Sequence, residues 1–365
     1  MQTDFHLLPL LSDPAHYVAC PWDLGRMPEF RAYWLELFRN HFPRLMDQAS
    51  RDGNRRLVPL ERLEQARDDF NAYLDAIARE PEKFGRLSII EICKARERSL
   101  RRFDIDDPYR HAKQRENDTA LKLLPDLLKQ LEELSPSMRS ETLVRGIFAG
   151  NIFDLGAVDT ESRFRDQGVD FHAVRGELKG RPWLIDDFDQ WAVRMDGQPY
   201  RGALLFVDNA GSDIVLGMIP FARELLRRGT EVIITANTSP SLNDVTCDEL
   251  IDLLGQIAAW DVLLADSVAS GRLKIVPSGN WLPLIDLSCV SRTLVETIEA
   301  GKIDLLVVEG MGRAIESNLD ARFNCDVLKI AMIKDKGVAN VLGGTLYDLV
   351  FKFEQSSPAG FSLGL

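Results

Sequence analysis

Polar residues crowd the ends of five β-branched runs in the second half of this 365-residue chain. The run 203–207 leads into Asp208-Asn209-Ala210-Gly211-Ser212-Asp213, and 231–235 into Ala236-Asn237-Thr238 with Asn243-Asp244 further on. Run 273–276 ends in Ser278-Gly279-Asn280, 304–308 in Glu309-Gly310-Met311-Gly312-Arg313, and 327–333 in Lys334-Asp335-Lys336. In an open α/β sheet, ligands bind in the crevice outside the carboxyl ends of the strands, so topology would gather these groups into one place. Hard oxygen donors, amides, a glycine-lined helix entry and cations together suit a divalent metal beside a phosphate. Asp208, Asn209 and Asp244 offer oxygens of the kind Mg²⁺ or Mn²⁺ prefers. Gly211 and Ser212 open a helix whose first N–H groups would face an anion. Arg313 or Lys334 would neutralise charge on a transferring phosphoryl group while the metal activates water. The implied reaction is hydrolysis of a phosphate monoester.

Each residue also has a plainer reading. Asp208 suits a helix N-cap, and Asn243-Asp244 taken alone reads as a turn. Gly310 and Gly312 would serve positive φ or close strand–helix packing. Lysine is most often a solvated surface charge, which covers Lys334 and Lys336. Five polar strand ends together favour the functional reading, and Glu309, directly after an apolar run, would sit near the active edge of the sheet.

The elements that must position these groups fall into two parts. From 28 to 140 the chain is charge-rich with helical periodicity, and three to five helices fit there, with Pro43, Pro59, Pro81, Pro108 and Pro136 marking where helices start or stop. From Gly202 onward, β-branched runs alternate with amphipathic stretches at 214–228, 248–265 and 287–300, the pattern of a parallel sheet. The segment 142–201 bridges the two. The expected organisation is an N-terminal helical domain over 1–150 and an α/β domain over 151–365.

Composition limits the partners. With 44 basic and 56 acidic residues the net charge is −12, which disfavours nucleic acid and anionic membranes. Five cysteines without a C-x-x-C pair read as reduced thiols. The N-terminal stretch is a poor signal peptide, and no charge-free run is long enough to span a bilayer, so the expected address is the cytosol.

Several chemistries fail on spacing. The one Gly-Lys pair, Gly301-Lys302, has Glu296 where a P-loop requires glycine, and no G-x-G-x-x-G follows a strand. Ala210 stands where an aspartyl-nucleophile phosphatase would carry its second Asp, which favours metal-activated water over a covalent intermediate while leaving Asp208 open as a nucleophile. None of the five histidines makes an H-x3-H pair, so a zinc hydrolase is poorly supported.

Val207-Asp-Asn-Ala-Gly-Ser-Asp213, Glu309-Gly-Met-Gly-Arg313 and Arg145-Gly-Ile-Phe-Ala-Gly-Asn-Ile-Phe-Asp154 resemble the metal-dependent damage-control phosphatases. The Glu-Gly-Met-Gly-Arg form is similar to the subfamily containing the C-terminal phosphatase domain of pantothenate kinase 4 and stand-alone plant proteins of about this length. The resemblance covers most of the chain, strongest from Arg145 to Gly344 and fainter over 107–117. It implies a helical domain packed on a doubly wound α/β/α sandwich, with a metal held by Asp208, Asn209 and Asp244. It also implies that Lys334 meets phosphate, with Lys336 as the alternative register, and that Asn151 and Asp154 face the same cleft. The expected site then has Asp208, Asp244, Arg313 and Lys334 in catalysis. Asn151, Asp154, Gly211, Ser212, Glu309, Arg313 and Lys334 would bind substrate, Glu309 by placing a cation or a substrate hydroxyl. The implied partner is a small phosphorylated metabolite, 4′-phosphopantetheine and its oxidised forms or a sugar phosphate, with Mn²⁺, Co²⁺, Ni²⁺ or Mg²⁺ as the metal. Two other readings remain: a phosphometabolite-binding regulatory protein without turnover, and a methyltransferase, for which no glycine-rich cofactor loop is evident. Oligomeric state stays open.

Overall fold

The computed structural model describes residues 5–50, 58–152 and 171–356. In chain order the elements are β1 (Phe5–His6), α1 (Pro28–Ser50), α2 (Leu60–Arg79), α3 (Ile89–Arg102), α4 (Arg110–Glu133), α5 (Pro136–Ile152) and α6 (Phe171–Glu177). There follow β2 (Ile185–Asp186), α7 (Phe188–Asp196), β3 (Gly202–Phe206), α8 (Ile219–Arg227), β4 (Glu231–Ala236), α9 (Cys247–Ala258), α10 (Val262–Ala269) and β5 (Leu273–Pro277). The chain continues with β6 (Val290–Ser291), α11 (Arg292–Ala300), β7 (Leu305–Glu309), β8 (Asp326–Met332), α12 (Lys336–Leu342) and β9 (Leu349–Glu354). Two π-helical segments, Asp213–Met218 and Met311–Glu316, lie after β3 and β7, the first beyond the 207–212 loop and the second just past Gly310.

Alternate residues of the central strands enter two different cores, as the two-residue period of a strand requires. Leu204 and Phe206 of β3 and Leu306 and Val308 of β7 pack with Trp34, Phe38, Phe70 and Ile92 of the N-terminal helices. Ala203, Leu205, Leu305 and Val307 face the opposite layer, with Leu127, Phe148, Trp191 and Leu253. Strands buried on both faces must be apolar throughout, which is why these runs stood out in the sequence. Each fully buried Leu or Phe contributes about 1.5–3 kcal/mol, so both helical layers are held to the sheet. This is the doubly wound α/β/α sandwich that was expected.

The seven-stranded sheet runs β2-β9-β8-β7-β3-β4-β5. β8, β7, β3, β4 and β5 are mutually parallel, β9 is antiparallel to β8, and β2 is parallel to β9. From β3 the chain winds outward through β4 to β5, then returns to the other side of β3 as β7. The strand order therefore reverses between β3 and β7, where an open sheet forms its binding crevice.

Several local expectations shift. Pro43 lies inside α1 rather than at its end, where buried Phe38, Phe42, Leu45 and Ala49 carry the helix across the missing hydrogen bond. The stretch 248–265 forms two helices because Asp261 accepts from the Leu264 N–H and starts α10. The stretch 214–228 opens as a π-helical segment, and 287–300 becomes helical only at Arg292, after β6. Strands β1, β2, β6 and β9 were not anticipated. Residue 150 falls within α5, and a Cβ on Gly150 would lie 2.7 Å from the Asp213 Cα, so α5 rests directly on the segment after β3. Among the described residues, no helix is long and apolar enough to cross a membrane.

Candidate active site

Four carboxyl groups and two cations meet at the switch point. The Asp208 N–H, just past β3, donates to Glu309 Oε2 at 2.8 Å, tying the end of β3 to the end of β7. The Asn209 amide donates to Asp208 Oδ2 and Asp213 Oδ2, both at 3.0 Å, and its backbone N–H reaches Asp213 Oδ2 at 3.2 Å. Asn151, carried in by α5, donates through one Nδ2 to Asp213 Oδ2 at 3.0 Å and Glu309 Oε1 at 2.9 Å. Asp208, Asp213 and Glu309 each present an oxygen within 4.8 Å of the others, and all three are buried. Asp213 Oδ1 and Asn151 Oδ1 are buried without a hydrogen-bond partner.

The β4 loop closes over this group. Asn209 and Asp244 form an isolated antiparallel bridge, with Ala210 N–H donating to Asn243 O at 2.9 Å and Val245 N–H to Asp208 O at 3.0 Å. Asp244 Oδ2 accepts from Asn237 Nδ2 and Arg313 Nη2, each at 2.9 Å. Arg313 also pairs through Nη1 with Asp208 Oδ1, so one guanidinium spans both loops. Gly310 has φ +98°, and a Cβ there would collide with the Asp208 carboxylate; only glycine lets β7 turn this close to it. Lys334 Nζ donates to Asn151 O at 3.1 Å.

Helix α4 braces both loops from the side. Lys113, fully buried, pairs with Asp107 at 3.1 Å and Glu249 at 2.8 Å and reaches Asp244 O at 3.5 Å. Asn117 Oδ1 accepts the Gly211 N–H at 2.6 Å.

Burial governs the acidity of the inner groups. It pushes Asp213 up to about 6 against the pull of Lys334, Asn151 and Asn209. Glu309 is raised well above the ordinary carboxylate range, first by burial and then by the neighbouring Asp213. Four carboxyl groups against Arg313 and Lys334 leave 4 − 2 = 2 negative charges when all are ionised. A divalent cation matches that excess, and the convergent oxygens with two unpartnered acceptors fit hard-cation ligation.

A cavity of about 350 Å³ opens onto this cluster. Asp208, Asn209, Asp244 and Lys334 lie on its wall, as expected from sequence. Arg313 lies behind Asp244, 1% exposed. Glu309 is fully buried and off the wall, where it accepts from the Asp208 N–H and the Asn151 amide and feels the charge of Lys334. The Gly211 N–H is committed to Asn117, and the helix expected to present it opens as the π-helical segment flanked by Ser212. Lys334 and Lys336 both line the cavity, but Lys334 acts electrostatically on Asp213 and Glu309. Asp154 lies outside the described residues. Sequence reasoning did not single out Asp213, Asn237, Lys113 or Asn117. Asp213 closes the Asp208–Asp213 motif, and that position was the available signal.

The model of the damage-control phosphatase ARMT1-like domain matches residues 37–350 of the chain. The chain is 42% identical to damage-control phosphatase At2g17340 of Arabidopsis thaliana over 324 residues, 88% of this chain and 87% of that protein. It is 39% identical to pantothenate kinase 2 of Arabidopsis thaliana, covering 96% of this chain and 42% of that one. To the 4′-phosphopantetheine phosphatase of Mus musculus it is 35% identical, over 95% of this chain and 48% of the relative. The chain thus spans under half the length of those last two. In structure it is similar to a DUF89 family protein, PH1575, from Pyrococcus horikoshii, with a TM-score of 0.60 at 18% identity, covering 87% of this chain and 96% of that one. That likeness concerns the fold.

Proposed function

The chain belongs to the damage-control phosphatase family with the ARMT1-like domain, and on that premise we propose that it hydrolyses small phosphomonoesters at the carboxylate end of its cavity. Our candidate substrates are 4′-phosphopantetheine and its oxidised forms, the first because a relative bears that name, with sugar phosphates second. The carrying observation is the meeting of Asp208, Asp213 and Glu309 beside Lys334 and Arg313 at the β3/β7 switch point.

Asp208 is the common ligand of the proposed metal site. Asn209 and Asp244 stand on its cavity side, and Asp213 and Glu309 on its inner side. Mn²⁺, Co²⁺, Ni²⁺ and Mg²⁺ are the candidate ions. Such an ion, when bound, supplies Lewis acidity that lowers the pKa of water and offsets phosphoryl charge.

The protein's own groups do the rest. Lys334, on the cavity wall, binds phosphate oxygens as a point charge. Arg313 fixes Asp208 and Asp244 against each other and adds positive potential where charge builds on the phosphoryl group. Asp244 orients the attacking water and takes its proton. Asn151 holds Asp213 and Glu309 at one spacing. Five free thiols accord with a cytosolic setting.

Asp208→Ala tests the assignment. Phosphate release should vanish while circular dichroism stays that of the folded protein, and full activity in this variant would overturn it.

A further inference from the structure

The cavity is much larger than a phosphate group needs. Away from the carboxylates its wall is apolar, made by Trp34 and Phe38 of α1, Ile89 of α3, and Leu242 and Leu284 from the loops after β4 and β5. The N-terminal helices therefore build the side that faces the leaving group. Arg96 reaches this wall but is committed to Glu97, through Nε at 3.1 Å and Nη2 at 2.8 Å.

One polar side chain there has no such commitment. Glu316, the last residue of the π-helical segment after β7, is 4% exposed and lines the cavity. Among the described residues its carboxyl group makes no hydrogen bond or ion pair. The titratable groups facing it are Lys334 and Asp335 after β8, Cys93 on α3, and Cys20 ahead of α1. Asp335 is itself occupied, accepting from the Tyr33 hydroxyl at 2.6 Å and the Val338 N–H at 2.9 Å. A buried, unpartnered carboxyl is costly, and a ligand group that bonds it removes the cost.

We propose that Glu316 is a specificity-determining residue whose carboxyl group hydrogen-bonds an uncharged hydroxyl or amide on the substrate's leaving group. This rests on the phosphatase reading of the same cavity. Burial, followed by Asp335, pushes the Glu316 carboxyl up to about 8 against the pull of Lys334, so at neutral pH it holds its proton and offers both a donor and an acceptor. Sites built around such a bond discriminate strongly against ligands that cannot complete it. A leaving group with a carboxylate at this position gives up its hydration in an apolar wall for a single donor, and binds less well than an uncharged hydroxyl or amide.

The test uses the metal-loaded full chain with 4′-phosphopantetheine, whose leaving group carries hydroxyl and amide groups, and phosphoglycolate, whose leaving group carries a carboxylate. Wild-type KM for 4′-phosphopantetheine should rise about tenfold between pH 7 and pH 9 as the protonated fraction falls, with kcat nearly constant. Glu316→Gln keeps a donor and an acceptor but does not titrate, so its KM should be flat over that range. Glu316→Leu should raise KM at pH 7, and phosphoglycolate should be the poorer substrate of the wild-type protein. Matching KM–pH profiles for wild type and Glu316→Gln, or an unchanged KM in Glu316→Leu, would overturn the role of Glu316. Absence of phosphate release from every ester by the wild-type protein would instead overturn the phosphatase reading, and the inference with it.

Discussion

Arg313 donates through Nη2 to the Asp244 carboxylate at 2.9 Å, so a cation suited to phosphate is bound to a carboxylate suited to metal. Both side chains are 2% exposed. The loops after β4 and β7 are locked together by this pair, and charge introduced at either residue is felt at the other.

Removing one partner of a buried ion pair strands the other in low dielectric. Arg313→Ala leaves both Asp208 and Asp244 without their guanidinium and should cost about 3–5 kcal/mol in metal-free protein. Urea unfolding with and without divalent metal measures it. Added metal should recover part of the loss, because it replaces positive charge beside the same carboxylates.

Asn151 is placed to set metal affinity without being a carboxylate ligand. Its one amide nitrogen fixes both Asp213 and Glu309. Partners of this kind typically govern about 10–100-fold in metal affinity. Asn151→Ala should raise the half-saturating metal concentration for phosphate release within that span, with most of kcat regained at high metal. A variant with wild-type metal dependence would remove Asn151 from this role.

Glu316 links the cavity to stability. Its folded-state pKa of about 8 lies above the ordinary 4.5, so the folded protein binds the extra proton between those values. Burial is the cause, so the cost of ionising it in the fold is absent below pH 4.5 and grows, lowering stability, as pH rises toward 8. Glu316→Gln should flatten the wild-type decline in denaturant midpoint across that window. An unchanged slope would show that Glu316 titrates normally.

The five central strands were legible because burial on both faces demands unbroken apolar runs, and their polar ends marked the crevice. The edge strand β9 was not, since Phe351-Lys352-Phe353-Glu354 alternates and lies beyond the last parallel run. Pro43 misled because tertiary burial of Phe42 and Leu45 outweighs the local rule. Asp208 and Asn209 followed from a strand end, whereas Asp244, in a loop that alone reads as a turn, and Lys334, with Lys336 as the alternative register, were favoured through the family resemblance; all four lie on one wall. Asp213, Lys113 and Asn117 were not legible. Lys113 and Asn117 reach the crevice from a helix about 100 residues upstream, and Asp213 opens a π-helical segment and is held inside by Asn151 and Asn209.

This carboxylate cluster should hydrolyse phosphomonoesters only with a divalent metal. The direct measurement strips the protein with chelator, then follows phosphate release from 4′-phosphopantetheine, sugar phosphates and an aromatic phosphate as Mn²⁺, Co²⁺, Ni²⁺ or Mg²⁺ is restored singly. We expect no turnover after stripping, and recovery with at least one ion that is lost in Asp208→Ala. Full activity in the stripped protein, or silence of the folded protein with every ion and ester, would contradict the account.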